Sequence, residues 1–230
     1  MRVVSLVPSA TETLLALGAD VVACTRFCEQ PTITHVGGTK NPDIAAIVAL
    51  APDLVVLDEE ENRREDAEAL GAAGLGLLVT SVRSVADARR ATARLAAATG
   101  RPLPTSPDMP EPLVAAVTAT AFVPIWRRPW MTINADTYGA SVLGALGVEL
   151  VTATAPERYP TVELDDIAAL HPTHVLVPSE PYEFADRHVA ELADALPRAA
   201  IRRVDGQDLF WWGIRTPAAL ERLRVALGGR

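Results

Sequence analysis

Two stretches of this chain match one another at a constant offset. "IVALAPDLVVLDEE" runs from 47 to 60 and "IAALHPTHVLVPSE" from 167 to 180. Each holds the end of a short amphipathic helix, a proline, an apolar strand and then acidic residues. The flanking pieces keep the same order. "TLLALGADVV" and "SVLGALGVEL" precede the two copies, and "REDAEALGAAGLGLLVTS" and "RHVAELADALPRAAIRRVDG" follow them. Strands that alternate with helices through short connections imply parallel sheets covered by helices. The expected fold is therefore α/β, with two similar Rossmann-like lobes built on parallel sheets. The N-terminal lobe is expected over 1–100 and the C-terminal lobe over 126–230. Residues 101–125 read as a proline-rich linker, then a short bridging helix in "LVAAVTATA" (113–121). A strand starting near Pro129 is expected to open the second lobe. A single connection leaves a cleft between lobes, and open parallel sheets bind ligands outside the carboxyl ends of their strands.

Those strand ends name the expected lining. Strand "RVVSLV" ends at Pro8-Ser9, and Ser9 with Glu12 reads as a capping box for the next helix. Strand "VVACT" delivers Arg26, Phe27 and Glu29. Strand "DLVVL" ends in "DEEENRRED", which places Asp58, Glu59, Glu60 and Glu61 at the rim, where arginines are expected to pair with some of them, from Arg63 and Arg64 next in the chain or from Arg26, Arg127, Arg128 and Arg215 on other loops. The second lobe supplies "FVPIWRRPWM" with Trp126 and Trp130, then "SEPYEF" with Tyr182. It closes with "DLFWWGIRTP", read as loop, which holds Phe210, Trp211, Trp212 and Arg215. All four tryptophans fall at expected edges and loops rather than inside elements. Aromatic faces beside guanidiniums suit a large, flat, partly polar ligand. One of Trp211 and Trp212 is expected to close over it while its neighbour anchors the loop.

Other classes of function fit poorly. Net charge is −8 with no basic stripe, which disfavours nucleic acid. No stretch approaches the roughly 18 to 20 apolar residues of a membrane span, so no membrane insertion is expected. There is no GxSxG elbow, no phosphate-binding loop and no HExxH, so no catalytic set emerges and no cofactor is required. Cys24 and Cys28 lack the spacing of a redox CxxC or a zinc knuckle and read as free thiols, with a ligand-facing role for Cys28 as the alternative. No secretory pattern follows Met1, so the chain as read is expected in the cytoplasm. A chain whose signal had been removed would read the same and would work in the periplasm or outside the cell.

"RVVSLVPSATETLLALGADVVACTRFCEQP", followed by "VGGTKNPDIAAIVALAPDLVVLDEEENRRED", resembles the cobalamin- and siderophore-binding proteins of ABC importers, the helical-backbone metal receptors. The cobalamin-binding branch is the nearest in pattern. The resemblance implies two α/β lobes, a bridging helix and a non-catalytic receptor; a monomer is expected from the internal repeat with its single short connection. Its possible ligand is cobalamin or a related corrinoid, or another bulky metal chelate, and an ABC permease is a partner. Phe27 falls where that branch carries an aromatic, and "DLFWWGIRTP" matches its aromatic loop. Thr39 and Asp58 stand where the branch presents tryptophans. Permease docking through one acid per lobe implies Asp165 in the second, with Asp43 as the nearest acid in the first. An intracellular carrier, an enzyme or a ligand sensor acting on a small polar molecule through the acidic and arginine-lined cleft are the alternatives.

Overall fold

The computed structural model describes residues 1–103 and 116–228 and divides into two compact units. Among the described residues, one unit takes 1–82, 87–103 and 212–214; the other takes 83–86, 116–211 and 215–228.

The N-terminal part runs β1 (Arg2–Ser5), α1 (Pro8–Ala16), β2 (Asp20–Cys24) and β3 (Thr34–His35). A tight hairpin follows, β4 (Gly37–Gly38) with β5 (Asn41–Pro42), and then α2 (Ile44–Ala49), β6 (Leu54–Asp58), α3 (Arg64–Ala72), β7 (Leu77–Thr80) and α4 (Val85–Thr99). Its five-stranded sheet has the order β3-β2-β1-β6-β7, parallel throughout. The β6 stretch LVVLD is buried at every position, as a central strand with helices on both faces must be. Val4, Leu6, Ile47, Val55, Leu57 and Leu70 form the core. Each such side chain contributes about 1.5–3 kcal/mol by leaving water.

The C-terminal part runs β8 (Ala119–Phe122), β9 (Trp130–Met131), α5 (Tyr138–Ala145), β10 (Val148–Leu150), β11 (Thr161–Val162), α6 (Leu164–Ala169), β12 (His174–Pro178), α7 (Asp186–Ala195), β13 (Ala200–Val204), α8 (Gly206–Phe210) and α9 (Thr216–Ala226). Its sheet has the order β10-β8-β12-β13, again parallel. Matching β8 to β1, β10 to β2, β12 to β6 and β13 to β7 gives one topology twice. The sequence repeat maps onto α2–β6 and α6–β12.

Three local expectations are corrected. The expected bridging helix over 113–121 lies partly outside the described residues, and its described end is strand. Ala119–Phe122 pairs on both sides, with β10 and with β12, so it opens this sheet ahead of the two-residue β9 near Pro129. Sheet pairing overrides the helical preference of an alanine-rich run. Ser9 is not the cap of α1: the helix already starts at Pro8, whose fixed φ suits the first turn, and the cap position is Val7 with no side-chain bond. The loop expected over "DLFWWGIRTP" begins later, because Asp208–Phe210 completes α8, capped by Asp205 Oδ1 accepting from Gln207 N at 2.9 Å.

Candidate functional site

In the N-terminal unit the loops after β1, β2 and β6 emerge at the same edge, because these strands are adjacent and parallel. Asn62, in the loop after β6, ties that loop to the one after β1 and to the turn of the β4–β5 hairpin. Its Nδ2 donates to Leu6 O (3.2 Å) and Thr39 O (2.9 Å), and its Oδ1 accepts from Asp58 N (2.8 Å). Sequence reasoning passed over Asn62; its signal was a single amide inside an acidic run, free to bond locally. On this frame Phe27 stands 49% exposed, with the Arg26 guanidinium 4.7 Å from its ring centre. A Cβ at Gly38 would overlap Asn41 Oδ1 and lie 3.1 Å from both the Arg26 guanidinium and the Phe27 ring, so the bare hairpin leaves these side chains room. Glu29 is exposed, with a left-handed φ of 55°.

The acid run divides. Asp58, expected at the rim, is buried: Thr80 Oγ1 donates to its Oδ2 (2.7 Å) and Glu60 N to its Oδ1 (2.9 Å). Burial raises its carboxyl above the ordinary value, while the Thr80 hydrogen bond opposes the rise. The cause is register: Asp58 pairs with Thr80 as the last residue of β6 and remains within the sheet. Glu59 and Glu61 are exposed and Glu60 is half-buried. Ser81 Oγ donates to Glu59 Oε2 (2.6 Å), and Lys40 Nζ donates to Glu60 O. Arg63 and Arg64, expected to neutralise this run, pair instead with Asp66 (2.9 Å) and Glu68 (2.8 Å) along α3. Helical neighbours three and four apart are nearer than the loop behind them.

In the C-terminal unit the loops after β8 and β12 meet in an aromatic cluster. Trp126, 45% exposed, stands edge-on to Tyr182 at 5.1 Å; Tyr182 lies 4.8 Å from buried Phe184, which stacks on Trp130 at 5.9 Å. Arg127 reaches Glu191 with two nitrogens (2.5 and 2.9 Å) and lies 5.5 Å from the Trp130 ring centre. After α8, half-buried Trp211 donates from Nε1 to Glu180 Oε1 (2.7 Å), and the Arg215 guanidinium lies 5.1 Å from its ring. Phe210 packs against α5, where Gly139 leaves room for its edge.

Trp212 behaves differently. It is 5% exposed, and Trp212–Ile214 belongs by contact to the N-terminal unit. Trp212 N donates to Ser9 Oγ (3.3 Å), and Ile214 N donates to Thr13 Oγ1 (3.2 Å). Gly213 between them has φ of 112°, and a Cβ there would overlap Thr13 Oγ1. The polar side chains of α1 thus serve this segment.

Asp43 caps α2, its Oδ1 accepting from Ala46 N (2.9 Å), and Asp165 lies in the first turn of α6; both are exposed. Among the described residues no group of three or more His, Cys, Asp or Glu side chains could hold a metal ion. No helix among them is long and apolar enough to cross a membrane.

No family model matches the chain. Among curated proteins, it is 26% identical over 193 residues to a vitamin B12-binding protein of Salmonella choleraesuis, covering 76% of this chain and 71% of that one. A vitamin B12-binding protein of Vibrio parahaemolyticus is 24% identical over 96% of this chain and 86% of its own. Among solved structures, the periplasmic vitamin B12 binding protein of Vibrio cholerae superposes with a TM-score of 0.75 at 17% identity, covering 99% and 96% of the two chains. The periplasmic heme binding protein of Vibrio cholerae superposes with a TM-score of 0.79 at 18% identity, covering 99% and 98%. The fold is that of the class III periplasmic binding proteins. As expected from the missing catalytic set, the proteins matched are binding proteins rather than enzymes.

Proposed function

We propose that this chain is the substrate-binding receptor of an ABC importer and that its ligand is a corrinoid of the cobalamin type. The supporting observation is the set of aromatic–guanidinium pairs on loops at the carboxyl ends of both sheets: Arg26 with Phe27 in one unit, Arg215 with Trp211 in the other, and exposed Trp126 beside Tyr182. Flat rings flanked by fixed donors suit a broad macrocycle fringed with amides. The acidic character of Glu59, Glu60 and Glu61 favours amide-bearing cobalamin over haem, whose carboxylates they would repel. The sequence relatives named for vitamin B12 agree with this choice. Asp43 and Asp165, exposed at equivalent helices of the two units, are the proposed permease contacts.

Calorimetry with cobalamin, cobinamide, haem and a ferric siderophore tests the reading. Cobalamin is expected to bind at micromolar concentration or tighter and haem at least tenfold more weakly. Tight haem binding without corrinoid binding would overturn it.

A further inference from the structure

We infer that His188 is the positioning residue of the aromatic cluster in the C-terminal unit: its neutral ring holds the segment that carries Tyr182 and Phe184 by accepting a backbone hydrogen bond, and the segment is released when that ring takes up a proton. β12 ends at Pro178, and α7 begins at Asp186 with Ala185 as its cap. Alanine has no polar side chain with which to cap a helix, so the turn is closed from the other direction. His188 stands three residues past the cap, where a glutamate or glutamine commonly reaches back to the cap's own N–H. Here His188 Nδ1 accepts from Ala185 N at 3.2 Å, while His188 N donates to Ala185 O at 2.8 Å. A backbone N–H can only donate, so Nδ1 carries the lone pair and the ring's hydrogen sits on Nε2.

The same ring underlies the cluster. It is 4% exposed, with its centre 5.8 Å from that of Tyr182 and 6.2 Å from that of Phe184, perpendicular to the latter. Those two rings in turn meet Trp126 and Trp130. A proton on Nδ1 turns the acceptor into a second donor that faces the Ala185 N–H, and the bond is lost. The surroundings resist that proton. Burial first, then the guanidiniums of Arg187, Arg127 and Arg128, push the ring's pKa below its ordinary value, against the pull of Glu191, which Arg127 already engages. From β13, Arg203 donates to Phe184 O (2.9 Å) and pairs with Asp186 (2.6 Å), adding positive charge on that side. The folded ring thus holds a proton less readily than the unfolded one. Its stabilisation of the segment is complete above about pH 6.5 and is lost as pH falls through the lowered value. A glutamine at this position would have no such dependence.

Nitrogen-15 NMR of the ligand-free protein reads the tautomer and titration of His188, and the indole signals of Trp126 and Trp130 read the cluster. Wild type is expected to show the Nε2–H tautomer at neutral pH, a midpoint below about 6.5, and both indole signals moving with that midpoint. H188Q, which keeps a reaching acceptor that does not titrate, is expected to hold the indoles fixed over the same range. About one pH unit below the midpoint, where roughly a tenth of the rings remain neutral, cobalamin affinity is expected to be about tenfold weaker in wild type and unchanged in H188Q. The Nδ1–H tautomer, a midpoint at or above the ordinary value, indoles that ignore the titration of His188, an H188Q cluster that shifts as wild type does, or cobalamin affinity independent of pH would each overturn the inference. Only the affinity measurement rests on the corrinoid reading: failure of cobalamin to bind at any pH strikes that reading, and the ligand-free NMR of wild type then decides this one, as it does where H188Q fails to fold.

Discussion

Adjacent tryptophans at 211 and 212 have different surroundings, and truncating each should separate binding from folding. Trp212 is 5% exposed and its backbone is held to Ser9. An indole of this kind removes about 150–250 Å² from water, worth at most about 4–6 kcal/mol at 25 cal/mol per Å². The extended-chain reference inflates that figure, so the measured range of about 3–5 kcal/mol for a buried aromatic truncated to alanine is the better expectation. For a chain of this length each kcal/mol moves the midpoint by about 2–4 °C, which places Trp212→Ala roughly 6–20 °C below wild type. Trp211 is only half-buried, with its ring edge fixed by Glu180 and a guanidinium beside it. Trp211→Ala should therefore melt within a few degrees of wild type. Stacking on a conjugated ligand is worth about 1–3 kcal/mol, so cobalamin affinity should fall roughly 5- to 150-fold. Thermal unfolding by circular dichroism and calorimetry on the same samples supply both numbers. If Trp211→Ala melts as low as Trp212→Ala, or if Trp212→Ala melts normally and only binding falls, the division of roles is wrong.

Three further outcomes follow from local geometry. Folding raises the Asp58 pKa, so the folded state holds the extra proton; that stabilisation is complete below the unfolded value near pH 3.9 and fades as pH climbs through the raised value. Asp58→Asn keeps the Thr80 contact with the hydroxyl as acceptor, and should flatten this part of the stability–pH curve in urea titrations; an unchanged slope would contradict the assignment. Gly213→Ala should cost about 1–3 kcal/mol from its φ alone, with further loss from overlap with Thr13 Oγ1; Thr13→Ala in the same chain should restore part of the melting temperature, and simple additivity would refute the steric account. Charge reversal at Asp165 should abolish permease-dependent uptake while leaving ligand affinity within twofold; unaltered uptake would remove Asp165 from the docking surface.

Topology was readable because the repeat constrains it: two copies of helix–proline–strand at 47–60 and 167–180 became the same central element in each sheet. What escaped reading was decided by tertiary partners. Ala119–Phe122 has no strand signature of its own and becomes one because β10 and β12 offer pairing on either side. Asp58 looked like the first rim residue, but one position of strand register hides it against Thr80. The α3 ion pairs were present in the spacing of Arg63 with Asp66 and Arg64 with Glu68, masked by the adjacent glutamates. Asn62, a lone amide, drew no notice although three loops depend on it. The ring contact of Trp126 with Tyr182 and the hydrogen bond of Trp211 to Glu180 join residues far apart in sequence, so composition located the rings and only the fold shows what each one touches.

The N-terminal unit borrows Trp212–Ile214, and the bond from Trp212 to Ser9 spans 203 positions. During synthesis this unit therefore waits. After residue 103 leaves the ribosome, more than a hundred residues must still be made before its last segment exists, on the order of ten seconds at typical elongation rates. Through that interval Ser9 and Thr13 on α1 are without the backbone donors they later accept. A nascent chain arrested before residue 212 should accordingly show an N-terminal unit more open to proteolysis at α1 than the released protein, and no expression of that half alone will reproduce its final stability.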